Sequence, residues 1–169
     1  MSRKRCLLIL TVLLAMTATY FGQSRQPSTP AKPFVVKTRQ SVDELERSLR
    51  TDNKVEDLTG GAGTQLRVAV QHDKKRIDPD AEVHDESDDV YYVLSGTARL
   101  TLGGSLNDPR EASHGEWKSK KIIGGTTLVI KQGDLIIVPR GTPHQRSTIG
   151  TKEFSMILIK VFKDPQKGK

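Results

Sequence analysis

The chain has 169 residues, enough for one domain with a substantial core, and its composition is that of a globular protein rather than a fibrous or disordered one. Its formal net charge is +7, from 27 Lys and Arg against 20 Asp and Glu. This charge does not predict nucleic-acid binding, because the basic residues lie in short scattered runs without interleaved aromatic residues on which bases would stack.

Residues 1–22 have the pattern of a secretory signal peptide. Three basic residues at positions 3–5 precede an uncharged, mostly apolar or small stretch over 7–18, and we expect cleavage between positions 17 and 23. The apolar run is shorter than the roughly 20 residues of a membrane-spanning helix. We therefore expect an exported protein, periplasmic or extracellular, with no stable membrane span after cleavage. The single cysteine, Cys6, lies in this segment, so the mature chain forms no disulfide.

The segment after the signal peptide predicts a linker followed by a short helix. Residues 23–33 are rich in Pro, Ser and other polar residues, as linkers are, and the apolar residues 34–36 predict a short edge strand. A capping-box pattern begins at Ser41, with Glu44 three residues later, and apolar residues then recur at helical spacing. We expect an amphipathic helix over 41–50 that packs against the rest of the domain.

From residue 64 onward the sequence predicts short strands, after a glycine-containing loop over 53–63. Apolar or alternating segments are separated by Gly and Pro, and almost no helical pattern remains, which predicts an all-β sandwich or closed barrel. Gly96 is expected to make a hairpin turn between two of the strands. The predicted strands are 66–71, one within the segment 82–96, 97–102, 122–123, 126–130, 135–138, 143–149 and 154–162.

Two further segments carry expectations of their own. Residues 103–121 break the strand rhythm and predict a polar insertion. Its residue Trp117, the only tryptophan, either anchors a flap over a pocket or pins the loop to the core. Residues 164–169 form a charged tail, which we expect to fray.

One informative stretch covers residues 82–96, E-V-H-D-E-S-D-D-V-Y-Y-V-L-S-G. It is polar first and apolar afterwards, which indicates a polar site leading into a buried strand. Side chains two positions apart share a strand face, so Glu82 and His84 point the same way, as do Asp89 and Tyr91. The alternate positions are also apolar, which predicts a strand covered on both sides.

A second informative stretch covers residues 133–148. A glycine leads into an apolar strand, and Pro139 and Gly141 make a tight corner after it. His144 then begins the returning strand, with Arg146 on the same face.

Together the two stretches resemble the motifs of the cupin family, which are small β-barrels of the jelly-roll type. The second cupin motif, G-x5-P-x-G-x2-H-x3-N, is matched through Gly133, Pro139, Gly141 and His144, with Thr148 in place of the final Asn. The first motif, G-x5-H-x-H-x(3,4)-E-x6-G, is altered here. Its positions are occupied by Arg76 for the first Gly, Glu82 and His84 for the two His, Asp89 for the Glu, and Gly96 for the last Gly. The resemblance implies a cupin barrel over residues 34–163 with a short N-terminal helix.

In cupins these motif positions bind a divalent metal ion inside the barrel, so the resemblance implies Glu82, His84, Asp89 and His144 as ligands. Two imidazoles and two carboxylates favour Mn, Fe(II), Zn or Ni over Cu(I), and two carboxylates weaken the Lewis acidity of the metal. The alternative is a metal-free cupin in which Glu82 points outward and the two histidines are hydrogen-bonded in the core.

Other side chains are candidates for contact with a small-molecule ligand. Arg146 is expected either to hold a substrate carboxylate or to pair with a surface acid at the mouth of the barrel. Tyr91 either donates a hydrogen bond to the ligand or packs in the core, and Trp117 is a third candidate. His72 and His114 have no partners at ligand spacing, so we expect both to be exposed.

Three hypotheses on function remain open at this level. The first is a metal-dependent enzyme acting on a small organic molecule, such as a dioxygenase, isomerase or lyase. The second is a non-catalytic cupin that binds a sugar or small acid, and the third is a structural dimer whose degenerate, metal-free barrel is filled by side chains. A homodimer is compatible with all three hypotheses.

Overall fold

The computed structural model describes residues 27–30, 32–150 and 152–167 of the chain. The predicted signal peptide, and positions 23–26 and 31 of the predicted linker, lie outside the described residues. The chain divides into two units, residues 1–34 and 35–169. No helix of the described part is both long and apolar enough to cross a membrane.

One helix and twelve strands are found among the described residues of the second unit. In chain order they are α1 (Arg39–Leu49), β1 (Lys54–Thr59), β2 (Leu66–Asp73), β3 (Ala81–His84), β4 (Ser87–Leu102), β5 (Ser105–Leu106), β6 (Arg110–Ser113), β7 (Glu116–Ser119), β8 (Ile122–Ile123), β9 (Thr126–Lys131), β10 (Leu135–Val138), β11 (His144–Thr148) and β12 (Phe154–Phe162). The predicted all-β class with one short helix is confirmed.

The strands form two antiparallel sheets that share the long strand β4. In the first sheet the first part of β4 lies between β12 and β10, and the order continues through β2 to β1 at the edge. In the second sheet the last part of β4 lies between β9 and β11, and the order continues through β3 and β7 to β6. Strands β5 and β8 form a separate pair. One continuous strand therefore joins the two sheets.

A bulge in β4 changes which residues face the core. Before it, Tyr91 and Val93 are buried, and after it Ala98 and Leu100 are buried, so the inward positions change from odd to even numbers. Opposite the bulge, consecutive residues of β12 pair with Val93 and Ser95, which leaves Leu94 without a partner. One extra residue in one strand shifts the alternation in this way. The buried core residues are Tyr91, Val93, Ala98, Leu100, Ile130, Val138, Phe154, Met156 and Leu158.

Gly96 does not make the predicted hairpin turn, because β4 continues through it. Its φ is +79°, as expected for a glycine-specific position, but the reason is a bent strand in a crowded place. A Cβ atom at this position would lie 2.0 Å from the carbonyl oxygen of Glu153, the residue just before β12. Only a residue without a side chain allows β4 and β12 to approach so closely where the strand changes sheets.

Helix α1 begins and ends earlier than the predicted 41–50. Thr38 is its N-cap, and the Thr38 Oγ1 accepts a hydrogen bond from the backbone N–H of Ser41 at 3.2 Å. The cap position therefore belongs to Thr38 and not to Ser41. Leu49 is buried, as is Glu46, whose carboxylate accepts a hydrogen bond from the Ser95 hydroxyl at 2.5 Å.

Other sequence predictions are wrong for local reasons. Residues 34–36 have exposed side chains and form no strand. The loop predicted over 53–63 contains β1, a charged edge strand without the usual alternation. The insertion predicted over 103–121 contains β5, β6 and β7. The outer face of β4 is not fully covered, since Tyr92 is 43 % exposed.

We predict that Gly96→Ala destabilises the fold by about 2–4 kcal/mol, because the variant combines a positive φ with a steric overlap against the Glu153 carbonyl. The matched control is Gly103→Ala, which has a φ of +75° but no atom within 4 Å of an added Cβ, so it loses only about 1–2 kcal/mol. Urea unfolding measures both free energies. Equal losses in the two variants would show that the close approach has no special importance.

Candidate metal centre

Three potential metal ligands converge where β3 and β11 lie side by side. Glu82 and His84 alternate along β3 and therefore share a face, and His144 is the first residue of β11 and pairs directly with Glu82. One ligand atom from each of these residues lies within 4.8 Å of those of the other two. His84 and His144 are buried, and their ring centroids are 5.0 Å apart. A carboxylate and two imidazoles are ligands that first-row divalent ions accept.

Each histidine has one ring nitrogen engaged by a neighbouring oxygen atom. His144 Nδ1 lies 3.0 Å from the carbonyl oxygen of Thr142, so an N–H there donates to it and leaves Nε2 as the lone-pair nitrogen. His84 Nδ1 lies 2.5 Å from a carboxylate oxygen of Glu116 on β7. Oxygen partners of this kind orient metal-binding histidines and fix their tautomer.

Asp89, the fourth predicted ligand, lies beside this group but is not one of the three. Its Oδ2 is 3.5 Å from His84 Nε2 and accepts a hydrogen bond from the Tyr91 hydroxyl at 3.0 Å. Its Oδ1 accepts from the Lys160 ammonium group at 2.8 Å. Each oxygen of Asp89 is therefore engaged by a donor of the protein, and coordination by Asp89 stays a prediction.

Glu82 points into the barrel, where it lines the same cavity as the two histidines. The Glu82 Oε1 accepts a hydrogen bond from the Lys118 ammonium group at 3.0 Å. The part of the metal-free alternative that turned Glu82 outward is therefore wrong. Lys118 stands directly opposite Glu82 on β7, and Glu116 stands opposite His84, so both contacts are cross-strand pairs.

Burial, hydrogen bonds and neighbouring charges shift the pKa values of these groups. Burial lowers the pKa of His84, but the hydrogen bonds with Asp89 and Glu116 outweigh it and raise that pKa to about 9. Burial raises the pKa of Asp89, but the hydrogen bond with His84 and the charge of Lys160 bring it down to about 2. Burial lowers the pKa of His144, which keeps that imidazole neutral. A metal ion binding here would therefore displace a proton from His84.

A cavity of about 200 Å³ opens next to these side chains. It is smaller than the 300–1,000 Å³ typical of drug-sized ligand pockets, so it suits a small molecule. Its walls come from both sheets, and the residues that carry charge are Arg67, Arg76, Asp80, Glu82, Asp89, Arg146 and Lys160.

Comparison with known proteins identifies the fold. No protein-family model matches the chain, and a search of curated proteins likewise finds no match. The chain is similar to solved structures of BH2720 from Bacillus halodurans (18% identity over 82% of this chain and 88% of that one, TM-score 0.53). It is also similar to a protein with a double-stranded beta-helix domain from Klebsiella pneumoniae (20% identity over 76% and 94% of the two chains, TM-score 0.51). The chain has the cupin fold. At such identities the likeness extends to the fold alone.

Within the cupin barrel, Tyr91 and Arg146 both line the cavity. Tyr91 is 2 % exposed, and its hydroxyl is occupied by Asp89. Arg146 is buried, its guanidinium donates to the buried Asp73 at 2.9 Å, and it lies 5.5 Å from the Tyr91 ring centroid. Arg146 therefore does not pair with a surface acid at the barrel mouth, as one of its two predicted roles required. Its guanidinium is already held by a carboxylate of the protein itself.

The structure does not bring Trp117 to the cavity. Trp117 pairs with Val83, so the alternation of β7 places its side chain on the face opposite to the one that meets Glu82 and His84. Its indole N–H donates to Asp85 at 2.7 Å.

The prediction for the other two histidines is right for one and wrong for the other. His114 is exposed, whereas His72 is 1 % exposed, with Nδ1 2.8 Å from the Ser155 hydroxyl.

Sequence reasoning missed the side chains that surround the three candidate ligands. Glu116 and Lys118 belong to the segment interpreted as a loop, although their spacing of two around Trp117 is a strand-like signal. Lys160 lies on β12 opposite Asp89, within an otherwise apolar strand, and this isolated charge is a signal in itself. Neither position identifies its partner without the strand pairing.

We predict that, in the presence of a chelator, the protein loses stability as pH rises. The His84 pKa is raised from 6.5 to about 9, so its contribution is complete below pH 6.5 and is lost as pH passes 9. The loss amounts to about 3 kcal/mol at most. Urea unfolding between pH 6 and about pH 10 should show a flatter profile for His84→Gln than for the wild type. His114→Gln, at an exposed site, should keep the wild-type profile, and an unchanged slope in His84→Gln would contradict the assignment.

Proposed function

We propose that this protein is a metal-binding cupin whose barrel takes a divalent ion on Glu82, His84 and His144 and holds a small organic molecule beside it. The observation that carries this proposal is the convergence of three ligand atoms within 4.8 Å at the wall of a cavity of about 200 Å³. The Nδ1 contacts of both histidines support it, because they direct Nε2 toward the site. At His84 this Nε2 lies 3.5 Å from Asp89, and an ion would replace that contact.

The donor set favours particular metals and chemistry. Asp89 is held by Lys160, so the proposed donors are two histidines and one carboxylate, which leave coordination positions open for exogenous ligands. Non-haem Fe(II) oxygenases use the same donor set. Mn, Zn and Ni also accept these donors. The ion would supply Lewis acidity to a bound ligand. We propose an oxidoreductase of this kind, with ligand binding without turnover as the alternative.

The surrounding residues have distinct roles in this proposal. Glu116 orients the His84 ring, and the Thr142 carbonyl orients the His144 ring. Lys160 neutralises Asp89, and Lys118 neutralises Glu82 until a dication takes its place. Glu116 and Lys118 lie on β7 and Lys160 lies on β12, whereas Thr142 lies just before β11, so strands supply three of these four contacts.

We predict that His84→Ala and His144→Ala each weaken metal binding at least tenfold, because each removes one of three ligands. Elemental analysis after exposure to a mixture of Mn, Fe(II), Zn and Ni, followed by competition titration, measures the stoichiometry and the affinity. One ion per chain is expected for the wild type.

The matched control for these variants is His114→Ala, which removes an exposed histidine that lies outside the site. It should bind metal as the wild type does. Equal metal content in all four proteins would overturn the proposed centre. The metal affinity of Asp89→Asn adds a second comparison. If it equals that of the wild type, Asp89 does not coordinate the ion.

We further propose that the protein is exported, on the basis of the basic and apolar pattern of residues 1–22. The intact mass of protein recovered from a bacterial host should correspond to cleavage between positions 17 and 23, and Leu13→Arg should block cleavage by interrupting the apolar run. An unprocessed wild-type chain would contradict export by this route. The homodimer stays a prediction.

A further inference from the structure

Arg76 occupies a fixed position on the wall of the cavity. It lies between β2 and β3, and its backbone is held by Thr148 of β11 in both directions. The Arg76 N–H donates to the Thr148 hydroxyl at 3.0 Å, and the Arg76 carbonyl accepts from the Thr148 N–H at 2.9 Å. The side chain is half-buried and lines the cavity. The main chain of Arg76 is therefore held in position by hydrogen bonds that do not involve its guanidinium group.

The other cationic side chains that line the cavity each hold a carboxylate of the protein. The three pairs are Arg67 with Asp57 at 2.8 Å, Arg146 with Asp73 at 2.9 Å, and Lys160 with Asp89 at 2.8 Å. Their charges are thus compensated within the protein.

Arg76 differs from these three cations. Its nearest carboxylate oxygen, Oδ1 of Asp73, is 4.0 Å from Nη1, too far for a hydrogen bond. Asp73 already accepts hydrogen bonds from Arg146 and Gln71. The Nε of Arg76 is buried and has no hydrogen-bond partner in the part of the chain that the structure describes. A buried N–H without an acceptor is costly, so this guanidinium is less well satisfied than the other three cations and would gain from a further acceptor on its exposed part.

The overall charge of the cavity also favours an anion. Three of its four Arg and Lys side chains are compensated as described above, and the acids Asp80 and Glu82 are compensated by Arg110 and Lys118. Among the residues that the structure describes, Arg76 is therefore the lining cation without a hydrogen-bonded acid. A bound dication would add two further positive charges to this wall. A ligand that carries a negative charge would be attracted to it, whereas a neutral or cationic one would not.

We propose that Arg76 binds the carboxylate group of the ligand, so that the cavity is specific for small organic carboxylates. The proposal rests on the proposed ligand-binding function of the same cavity. Two N–H groups of a guanidinium form a planar fork that fits two carboxylate oxygens, and 28% of the Arg76 side chain is exposed. A cavity of about 200 Å³ limits the rest of the ligand to a few heavy atoms. This role falls to Arg76 and not to Arg146, because Asp73 already occupies Arg146.

The test uses the full chain with propionate as the probe and propionamide as its neutral isostere. Binding is followed by NMR shift titration for the wild type, Arg76→Gln and the matched control Arg67→Gln, which removes the same charge from the same cavity. Arg76→Gln should weaken propionate binding about tenfold or more, and Arg67→Gln less than about twofold. Neither variant should alter the weaker binding of propionamide. Thermal unfolding checks that both variants are folded.

Two results would overturn the proposal: no propionate binding by the wild type, or equal losses in Arg76→Gln and Arg67→Gln, which would indicate a general charge effect. All titrations are repeated with chelator and with zinc. If zinc does not bind but Arg76→Gln still loses propionate in the chelator series, the metal centre fails while the carboxylate site stands. If zinc binds and Arg76→Gln has no effect, the carboxylate site fails while the metal centre stands.

Discussion

The close approach of Gly96 to the carbonyl oxygen of Glu153 is the constraint on which the barrel depends. At this point β4 leaves the sheet it shares with β12 and β10 and enters the sheet it shares with β11 and β9. The bulge just before Gly96 shifts the alternation by one residue, so that both halves of the strand present apolar side chains to the same interior. Without that shift, half of β4 would turn its polar side chains into the core.

The same strand brings the charged groups of the candidate centre together. Asp89 faces inward from the first half of β4 and pairs with Lys160 across to β12. On the other sheet, Glu82 and His84 meet Lys118 and Glu116 across the pairing of β3 with β7. Each of these charged groups thus has a cross-strand partner of opposite sign, and pairing of this kind is the condition under which charges are tolerated in an interior.

The ion pairs of the cavity wall also distinguish residues that stabilise the wall from residues that are available to bind a ligand. Lys160, Arg146 and Arg67 are each satisfied by an acid of the protein, and their first effect is to hold the walls of the cavity in place. Glu82, His84 and His144 retain ligand atoms that converge on one point, and Arg76 retains an unused donor. These four residues lie around one cavity, whereas two other buried atoms without a hydrogen-bond partner in the described part of the chain, His72 Nε2 and Thr97 Oγ1, belong to residues that do not line it.

The sequence by itself determined the fold class, most of the strands and the candidate ligands Glu82, His84 and His144. These depend on local patterns, namely two-residue alternation, glycine and proline corners, and the spacing of the two motifs. It could not determine that residues 110–119 pair with β3, because short polar strands have no periodic signal until a neighbour is present. Nor could it identify Arg76 as a cavity residue, since the motif gave this position only as a replaced glycine. Only the tertiary structure decided that Asp73 is hydrogen-bonded to Arg146 and stays 4.0 Å from Arg76, because ion pairing depends on distances between residues far apart in the chain.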